Sequence, residues 1–440
     1  MPRLHSAAGS VRRVREELDL RLLRDRRVRR LTLAQMTSAT GDGIVIAVLP
    51  FAIQAAGGSD VQFSIALAVQ ALAMASLFLP AGVVGDRFNR RSVVVASDLL
   101  RFGARGAIAL LLILGDATFW QLLITQAVHG AGSALFYTTM DGFVPEVIDG
   151  EKLLRKLNAL RFVALSLGMA IGPAIGGLIY AKANAGWAFG LDAMTFLVSA
   201  SLICRLPTPF AVKVSEPVSL RALASDVGEG WKAFRSIGWY WRVASEFAVL
   251  NTLVFAPYFV IGPHIAKESL GGSGAWAAIL MALGIGQLVG ALIILAWEPA
   301  RPLQTATKLV AVWVLPLLLL AVLAPIDVLV VGVVLAGVSV AVFSAIWETT
   351  KQTHTPPHVR ARLGSFDHLG SLGLVPFGYL LGAAMLAAVG AEAALIAGAA
   401  IMAVATLAVA SDPSIRGLKP ISCEVPGSAG QIVLVADGSD

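Results

Sequence analysis

Residues 82–91 read GVVGDRFNRR, and this short polar stretch lies between two long apolar blocks. The small residues Gly82 and Gly85 allow neighbouring helices to approach closely. Asp86 places a carboxylate at the edge of the preceding apolar block, where it can pair with arginines or with a helix N-terminus. Asn89 can adopt the left-handed conformation of a tight reversal. The stretch therefore predicts a charged turn between two helices.

Apolar blocks like these two recur along the whole chain. Of the 440 residues, 57% are apolar and only 14% are charged, and the mean hydropathy is +0.77. A soluble protein is about half apolar and about a quarter charged, and a membrane-spanning helix needs about 20 apolar residues. The composition predicts an all-α membrane protein with twelve transmembrane helices. The blocks are 31–55, 64–84, 92–114, 119–137, 159–180, 187–204, 243–264, 276–297, 306–323, 328–347, 369–389 and 393–410.

The longest internal polar stretch, residues 205–242, divides the twelve blocks into two sets of six. Two equal sets around a central loop predict a duplicated fold of two pseudo-symmetric six-helix bundles. The expected domains are a basic cytoplasmic N-terminal segment at 1–30, a six-helix bundle at 31–204, a cytoplasmic central loop at 205–242, a second six-helix bundle at 243–410 and a cytoplasmic tail at 411–440.

Lysine and arginine are distributed unevenly between the polar segments. If the chain begins in the cytoplasm, the inner side holds 30 of the 34 lysines and arginines, counting Arg161 and Lys308 at the inner ends of the fifth and ninth blocks, and Arg101 and Arg105 lie inside the third block. The outer loops hold only Lys182 and Lys267. Because cytoplasmic loops are enriched in positive charge, this distribution predicts that both termini are cytoplasmic. The net charge of +6 reflects this side preference, and we expect no nucleic-acid partner.

The segment at 82–91 resembles the signature loop of the major facilitator superfamily, whose pattern is G-x-x-x-D-R-x-G-R-R/K. Asn89 replaces the usual glycine. In that family the loop forms a cytoplasmic charge network that holds the two halves together and helps to control alternating access. The alternative is that the arginines only anchor the loop on the positive side of the membrane. The residues that take the gating role by resemblance are Gly82, Asp86, Arg87, Arg90 and Arg91.

A second segment, GMAIGPAIGG at 168–177, resembles the later part of the antiporter motif of the same superfamily, G-x-x-x-G-P-x-x-G-G. The match is partial because Leu160 stands where an upstream glycine is expected. In the family this motif accompanies exporters rather than importers. The alternative is a generic tight contact between helices. The matching residues are Gly168, Gly172, Pro173, Gly176 and Gly177.

Further stretches look like the macrolide-efflux and enterobactin-exporter branch of the superfamily. They are FVPEVIDGEKLLRKLNAL at 143–160, IWETTKQTHTPPHVRARLGS at 346–365, the Gly-Asp step at Asp42 and DAMTFL in the sixth block. The sequence also departs from the family pattern. Gln126 stands where the fourth helix usually carries an arginine, which puts the standard proton-coupling arginine in doubt. The second-half copy of the signature loop is reduced to AWEPARP at 296–302, which implies an asymmetric cytoplasmic connection.

Polar residues inside the blocks are candidates for substrate binding and proton coupling, because ionisable groups within a membrane are rare and usually functional. Asp42 leads, since it lies roughly 16 Å into the first block, near the bilayer midplane. Its carboxyl group can alternately hold a proton and a cationic substrate group; the alternative is a packing role. The candidates are Asp42, Glu246, Asn251, Gln70 and Gln287. Asp192, Glu348 and His129 are expected to be structural.

The third block contains Asp98, Arg101 and Arg105 at spacings of three and four, so these residues share one helix face. Each ionisable group inside a span costs roughly 2.5–3.5 kcal/mol on insertion scales. The charges are therefore expected to pair with one another or to face the bundle interior. We predict an ion pair between Asp98 and Arg101 that has a structural role.

No phosphate-binding loop, metal-ligand cluster or nucleophile constellation is present in the sequence, and its two cysteines provide no disulfide framework. We therefore expect a transporter that is not an enzyme and uses no cofactor. The resemblance implies secondary-active efflux of a small drug-like or secondary-metabolite compound by proton antiport with alternating access. The alternatives are a siderophore exporter or a non-transporting sensor or scaffold. The expected partners are a small-molecule substrate, protons and the lipid bilayer of the inner (plasma) membrane, in which the multi-pass chain is a monomer.

The charge distribution generates a topology prediction. Alkaline phosphatase, which is active only outside the cytoplasm, is expected to be inactive when it is fused after residue 416 and active when it is fused within the outer loop near Lys182. Enzyme activity in cells, normalised to fusion-protein abundance, measures this. An active C-terminal fusion would show that the number of spans is odd and would contradict the predicted fold.

Overall fold

The computed structural model describes residues 20–148, 151–207, 231–232, 234–297, 299–355, 363, 367, 371 and 373–418. Every regular element within these residues is a helix or a helical turn. The prediction of an all-α chain is therefore confirmed for the part of the chain that the structure describes.

The first half contains six long helices, and each of them includes one predicted span. They are α1 (Arg26–Ala55), α2 (Asp60–Arg87), α3 (Arg90–Leu114), α4 (Phe119–Val147), α5 (Glu151–Lys182) and α6 (Ala185–Cys204). A 3-10 turn, Leu20–Arg24, precedes α1. Ser59 begins α2 with a reciprocal capping box, and the side chain of Asn184 accepts a hydrogen bond from the first turn of α6. These caps bind backbone N–H groups that would otherwise have no partner.

The turn between α2 and α3 has a different conformation from the predicted one. Asn89 has φ −60° and ψ 115°, so it is extended and not left-handed. Its side-chain oxygen accepts a hydrogen bond from the backbone N–H of Ser92 at 3.2 Å and begins α3 as an N-cap. An asparagine satisfies an unpaired helix donor in a way that glycine cannot, which accounts for its presence here.

The helices of the second half are more interrupted. They are α7 (Gly238–Leu250), α8 (Ala256–Ser269), α9 (Ser273–Ala296), α10 (Pro302–Val310), α11 (Val314–Ala321), α12 (Ile326–His354), α13 (Val375–Ala410) and α14 (Pro413–Arg416). A π-helical turn, Asn251–Phe255, joins α7 to α8, and a 3-10 turn, Ala311–Trp313, joins α10 to α11, so each pair forms one span. Gly390 has φ 81° and breaks α13 between the last two predicted spans.

In the described part of the chain, nine helical segments are long and apolar enough to cross a membrane. One of the nine, Val375–Ala410, contains two predicted spans on either side of Gly390. Helices α3 and α4 are not among the nine, because their interiors carry charged and polar side chains that lower their hydropathy. With these two helices and the second span inside α13, the helices account for the twelve predicted spans.

The packing of the helices repeats between the two halves. In the first half, α1 packs against α5 and α2 packs against α4; in the second half, α8 packs against α13 and α9 packs against α12. The halves meet where α5 contacts α9 and where α2 contacts α13. The first contact joins span 5 to span 8, and the second joins span 2 to span 11. Spans 2 and 5 of the first half correspond to spans 8 and 11 of the second half, so the two contacts are equivalent, which confirms the pseudo-symmetric architecture. The domain boundaries proposed from the sequence remain predictions.

The seam between α1 and α5 depends on glycine. A Cβ atom added to Gly172 would collide with the carbonyl oxygen of Thr40, and one added to Gly176 would lie 2.6 Å from the carbonyl oxygen of Ile44. Gly168 has a similar contact, 2.7 Å from the carbonyl oxygen of Met36, and Pro173 packs against Gly43. The expected close contact at the antiporter-like motif is therefore confirmed, and its partner is the backbone of α1.

The two glycines of the cytoplasmic turn differ from each other. A Cβ atom on Gly85 would lie 3.0 Å from the hydroxyl oxygen of Thr139 in α4, as expected for a close helix contact. No atom lies within 4 Å of the corresponding position at Gly82. The predicted packing role of Gly82 is therefore wrong, because its missing side chain would project into open space.

This difference gives a test with an internal control. Gly172→Ala is expected to lower the thermal unfolding midpoint of the detergent-solubilised protein, since overpacking costs about 1–3 kcal/mol. Gly82→Ala is expected to leave the midpoint unchanged or to raise it, because alanine favours a helix by about 1 kcal/mol over glycine. Equal midpoints for the two variants would contradict the α1–α5 seam.

Candidate functional site

Most of the intramembrane charges of the first half converge in its interior. Arg101 is 0% exposed and Arg105 is 2% exposed, although both lie within a predicted span. Three aspartates from three helices surround them, and none is contributed by the cytoplasmic loops. We call this group the buried charge cluster. It consists of Asp42 from α1, Asp98, Arg101 and Arg105 from α3, and Asp192 from α6.

Two ion pairs organise the buried charge cluster. A guanidinium N–H of Arg101 donates a hydrogen bond to Asp98 one turn earlier on α3, so the predicted pair is confirmed. The Nε atom of Arg105 lies 3.2 Å from Oδ2 of Asp192, which joins α3 to α6. All four side chains are almost completely inaccessible. Each arginine therefore has its own carboxylate partner, as buried charges require.

Small and aromatic residues make room for these pairs. A Cβ atom on Gly132 would lie 2.7 Å from Cγ of Arg101, and one on Gly41 would collide with the side chains of Asp192 and Thr195. The guanidinium of Arg101 also lies over the rings of Phe136 and Phe196, at 4.4 and 4.3 Å from their centroids. Cation–π contacts of this kind stabilise a desolvated guanidinium.

Asp42 is the third carboxylate and has no arginine of its own. Its Oδ1 atom lies 3.4 Å from Nε2 of His129, and its carboxylate also interacts with the hydroxyl of Tyr137 and with the charges of both arginines. The side chain of Asp42 is 20% exposed, whereas those of Asp98 and Asp192 are 0% exposed. Asp42 is therefore the member of the buried charge cluster that another molecule can reach.

A chain of hydrogen bonds leaves the buried charge cluster on the side of α4. Arg105 donates from Nη1 to Oε1 of Gln126 at 2.5 Å, and Gln126 donates from Nε2 to Oε1 of Gln70 at 2.6 Å. Gln126 is the position at which the family's usual arginine is absent. In this protein Arg105, which belongs to the neighbouring helix α3, brings a guanidinium to that position.

The polar candidates of the second half do not form a comparable group in the described residues. Glu246 is 3% exposed, and its carboxyl group interacts with the side-chain hydroxyl of Thr406 in α13. Asn251 begins the π-helical turn and donates from Nδ2 to the carbonyl oxygen of Ser371 at 3.0 Å. Gln287 is half-buried at the contact of α9 with α12. Each of these three residues therefore lies in a separate contact.

The residues of the turn between α2 and α3 contact their own half. Arg90 forms an ion pair with Glu146 of α4 at 2.8 Å, and Arg91 donates to the carbonyl oxygen of Leu206 at 2.9 Å. Arg87 is exposed, and the side chain of Asp86 lies outside the described residues. The gating role of these residues remains a prediction, since the contacts described for Arg90 and Arg91 join α3 to α4 and to the end of α6.

Three further residues, Arg105, Asp192 and His129, lie at the site. The sequence predicts that Arg105 pairs with another charge or faces the bundle interior, and that Asp192 and His129 are structural. The structure pairs Arg105 with Asp192 and places His129 beside Asp42, the leading candidate. The signal in the sequence was the charge surplus on α3, because two arginines and one aspartate on one buried face require another carboxylate nearby.

Comparison with known proteins agrees with this architecture. The multidrug efflux pump Tap of Mycobacterium tuberculosis is 27% identical over 380 residues, which cover 83% of this chain and 88% of that protein. The enterobactin exporter EntS of Citrobacter koseri is 26% identical over 391 residues, which cover 85% of this chain and 87% of that protein.

Solved structures show the same fold at low sequence identity. A POT family transporter in complex with 5-aminolevulinic acid superposes with a TM-score of 0.69 at 12% identity, over 87% of this chain and 95% of that one. A bacterial homologue of the human lysosomal transporter Spinster, in an inward-facing conformation, has a TM-score of 0.64 at 16% identity, with the same coverage.

Two packed helical halves with buried charges inside one of them define a polytopic membrane transporter. The family model described as Major Facilitator Superfamily matches residues 31–366. The chain belongs to that superfamily, and the resemblance drawn from its motifs is confirmed.

The ion pair between Arg105 and Asp192 gives a stability prediction. Asp192→Asn leaves the guanidinium without its carboxylate, and breaking a buried pair in this way costs about 3–5 kcal/mol. The double variant Arg105→Leu with Asp192→Leu removes both charges and is expected to recover much of the lost stability. The thermal unfolding midpoint in detergent measures both effects.

The control is Glu268→Gln, which breaks an exposed pair with Lys267 at 3.5 Å and is expected to change the stability by about 0–1 kcal/mol. If the double variant is no more stable than Asp192→Asn alone, the two charges do not depend on each other.

Proposed function

We propose that the protein is a secondary-active exporter of a small, cationic, drug-like or secondary-metabolite compound, driven by proton antiport with alternating access. It acts as a monomer in the inner membrane with both termini in the cytoplasm. The carboxylate of Asp42 is the group that exchanges a proton for the cationic part of the substrate.

The charge balance of the buried charge cluster carries this proposal. Two arginines face three aspartates, so the cluster has one negative charge in excess when all five groups are ionised and His129 is neutral. An unbalanced charge inside a membrane protein is costly. One proton or one substrate cation neutralises the excess, and two of them at once would leave a positive charge. Competition between proton and substrate follows from this balance.

The accessibility of the aspartates selects Asp42 for the exchange. Asp98 and Asp192 are inaccessible and paired with arginines, while Asp42 is partly exposed and has a histidine at 3.4 Å and the hydroxyl of Tyr137 as its neighbours. A polar group exposed at the depth of the bilayer centre faces a water-filled interior and not lipid. Asp42 can therefore be reached by water and by substrate.

Contacts between the halves support alternating access. On the outer side, Gly177 of α5 packs against Ala277 of α9, and Nδ1 of His264 lies 2.8 Å from Oδ2 of Asp60. Deeper in the membrane, a Cβ atom on Gly284 would lie 2.5 Å from Cα of Ala170. This interface between α5 and α9 is built from small residues, which allow two helices to rock against each other without large side-chain rearrangements.

The relatives support export in particular. Tap is described as a multidrug efflux pump and EntS as an enterobactin exporter. Export of a siderophore is the rival within the same class, and a non-transporting sensor or scaffold is the rival from another class. The excess negative charge at Asp42 favours a cation over an anionic compound as the substrate.

The central test measures the accumulation of ethidium, a fluorescent cation, in cells that express the protein, with and without a protonophore. We expect the wild-type protein to lower accumulation and the protonophore to abolish the difference. Asp42→Asn keeps the shape of the side chain but cannot exchange a proton, so its efflux rate is expected to fall at least about tenfold, which corresponds to about 1.4 kcal/mol.

The matched control is Asp116→Asn, which changes an exposed aspartate at the outer end of α3 and is expected to leave efflux unchanged. If Asp42→Asn exports ethidium at the wild-type rate and with the same dependence on pH, Asp42 has no part in the mechanism. Unchanged accumulation of a broad panel of cations by the wild-type protein would favour the scaffold.

A further inference from the structure

The hydrogen-bond chain that leaves the buried charge cluster has a fixed direction. It runs from Arg105 through Gln126 to Gln70, and so it joins α3, α4 and α2 by hydrogen bonds of 2.5 and 2.6 Å. At its start, Nε of Arg105 forms an ion pair with Asp192 of α6 at 3.2 Å, and this pair is inaccessible to solvent. The last member of the chain, Gln70, is half-buried.

The direction follows from the chemistry of arginine. A guanidinium has only donors, so the side-chain atom of Gln126 that contacts Arg105 must be its oxygen. The amide nitrogen of Gln126 then points to Gln70 and donates, so the atom of Gln70 that it meets must also be an oxygen. The Nε2 atom of Gln70 is left at the end of the chain. Among the described residues it has no acceptor.

The depth of Gln70 in the membrane favours an orientation of this nitrogen toward the interior of the protein. Gln70 lies about 15 Å along α2 from its outer end at Asp60, at the depth of the hydrocarbon core. A primary amide exposed to lipid at that depth would lack hydrogen-bond partners. Gly130 of α4 packs directly against the carbonyl oxygen of Gln70. This contact fixes α2 against α4 at the end of the chain.

We propose that Nε2 of Gln70 is a hydrogen-bond donor to the transported compound, and that Arg105 is the positioning residue that fixes this polarity through Gln126. The substrate class is then narrower than small cations in general. It is a cation that also carries an acceptor oxygen, such as a carbonyl, ether or hydroxyl group. This inference rests on the proposed function, because it assigns a second substrate contact at the end of a hydrogen-bond chain that begins in the buried charge cluster.

A single neutral hydrogen bond contributes about 0.5–1.5 kcal/mol, which corresponds to a preference of roughly two- to twelvefold.

Whether Gln70 presents its amide nitrogen or its oxygen to the substrate depends on the residue at position 126. With glutamate at position 126, both carboxylate oxygens would be acceptors. One would accept from Arg105 and the other from Nε2 of Gln70, so the amide of Gln70 would turn its oxygen to the cavity.

The experiment uses two probes of equal charge and similar shape, tetraphenylphosphonium and (4-acetylphenyl)triphenylphosphonium, which adds one carbonyl group. Their affinities for the purified full-length protein are measured in detergent by isothermal titration calorimetry. We expect the wild-type protein to bind the acetyl compound about three- to tenfold more tightly. The ratio of the two affinities is the readout, because a change in charge or in general stability affects both probes alike.

Two variants test the direction of the chain. Gln70→Leu removes the donor, and Gln126→Glu keeps Gln70 but reverses its amide; both are expected to abolish the preference. Gln62→Leu, which removes a capping amide at the outer end of the same helix α2, is the control and is expected to keep it. If one variant does not fold, the other still decides the outcome.

A preference that persists in Gln126→Glu, or equal affinities for the two probes in the wild-type protein, would overturn the inference while leaving the cation site intact. If the folded wild-type protein binds neither phosphonium, the proposed cation site itself fails, and this inference fails with it. The two failures are therefore distinguishable.

Discussion

The burial of two arginines inside the first half is the constraint on which the rest of the structure depends. Neither Arg101 nor Arg105 reaches solvent, and each ionised group within a membrane costs roughly 2.5–3.5 kcal/mol on insertion scales. The cost is offset by carboxylates that must come from the same helix or from neighbouring helices. Asp98 and Asp192 meet this requirement and tie α3 to α6. Asp42 lies in the same place but remains without its own arginine, so structural pairing and the proposed exchangeable charge belong to one cluster.

The same constraint connects the chemistry of the site to the packing of the bundle. Asp42 lies on α1, and α1 is held against α5 by glycines whose replacement would meet backbone atoms. Helix α5 in turn contacts α9 of the second half. In the proposed mechanism, a change of charge at Asp42 acts on a helix that lies next to the interface between the halves. Coupling of this kind needs differential interactions in two conformations, and we propose that the contact between α5 and α9 is the element that the charge at Asp42 biases.

Much of the fold could be predicted from the sequence, because long apolar blocks and the distribution of lysine and arginine are read directly. The ion pair of Asp98 with Arg101 also followed from a local spacing of three. The failures have physical causes. Gly82 and Gly85 look equivalent in the motif, but only Gly85 faces a neighbouring helix. Asn89 satisfies a helix donor as an N-cap and does not supply a left-handed turn. The pairing of Arg105 with Asp192 joins residues far apart in the chain, and no local pattern contains that information.

The central claim is that proton and cationic substrate compete for a single negative charge, and it is tested most directly by counting protons released when a cation binds. The purified protein is titrated with tetraphenylphosphonium in weakly buffered detergent solution near pH 6, and the pH change gives the protons released per cation bound. We expect up to one proton per cation for the wild-type protein and none for Asp42→Asn, together with weaker cation binding at lower pH, as linkage requires. Cation binding without proton release at every pH, or the same release from Asp42→Asn, would contradict the claim.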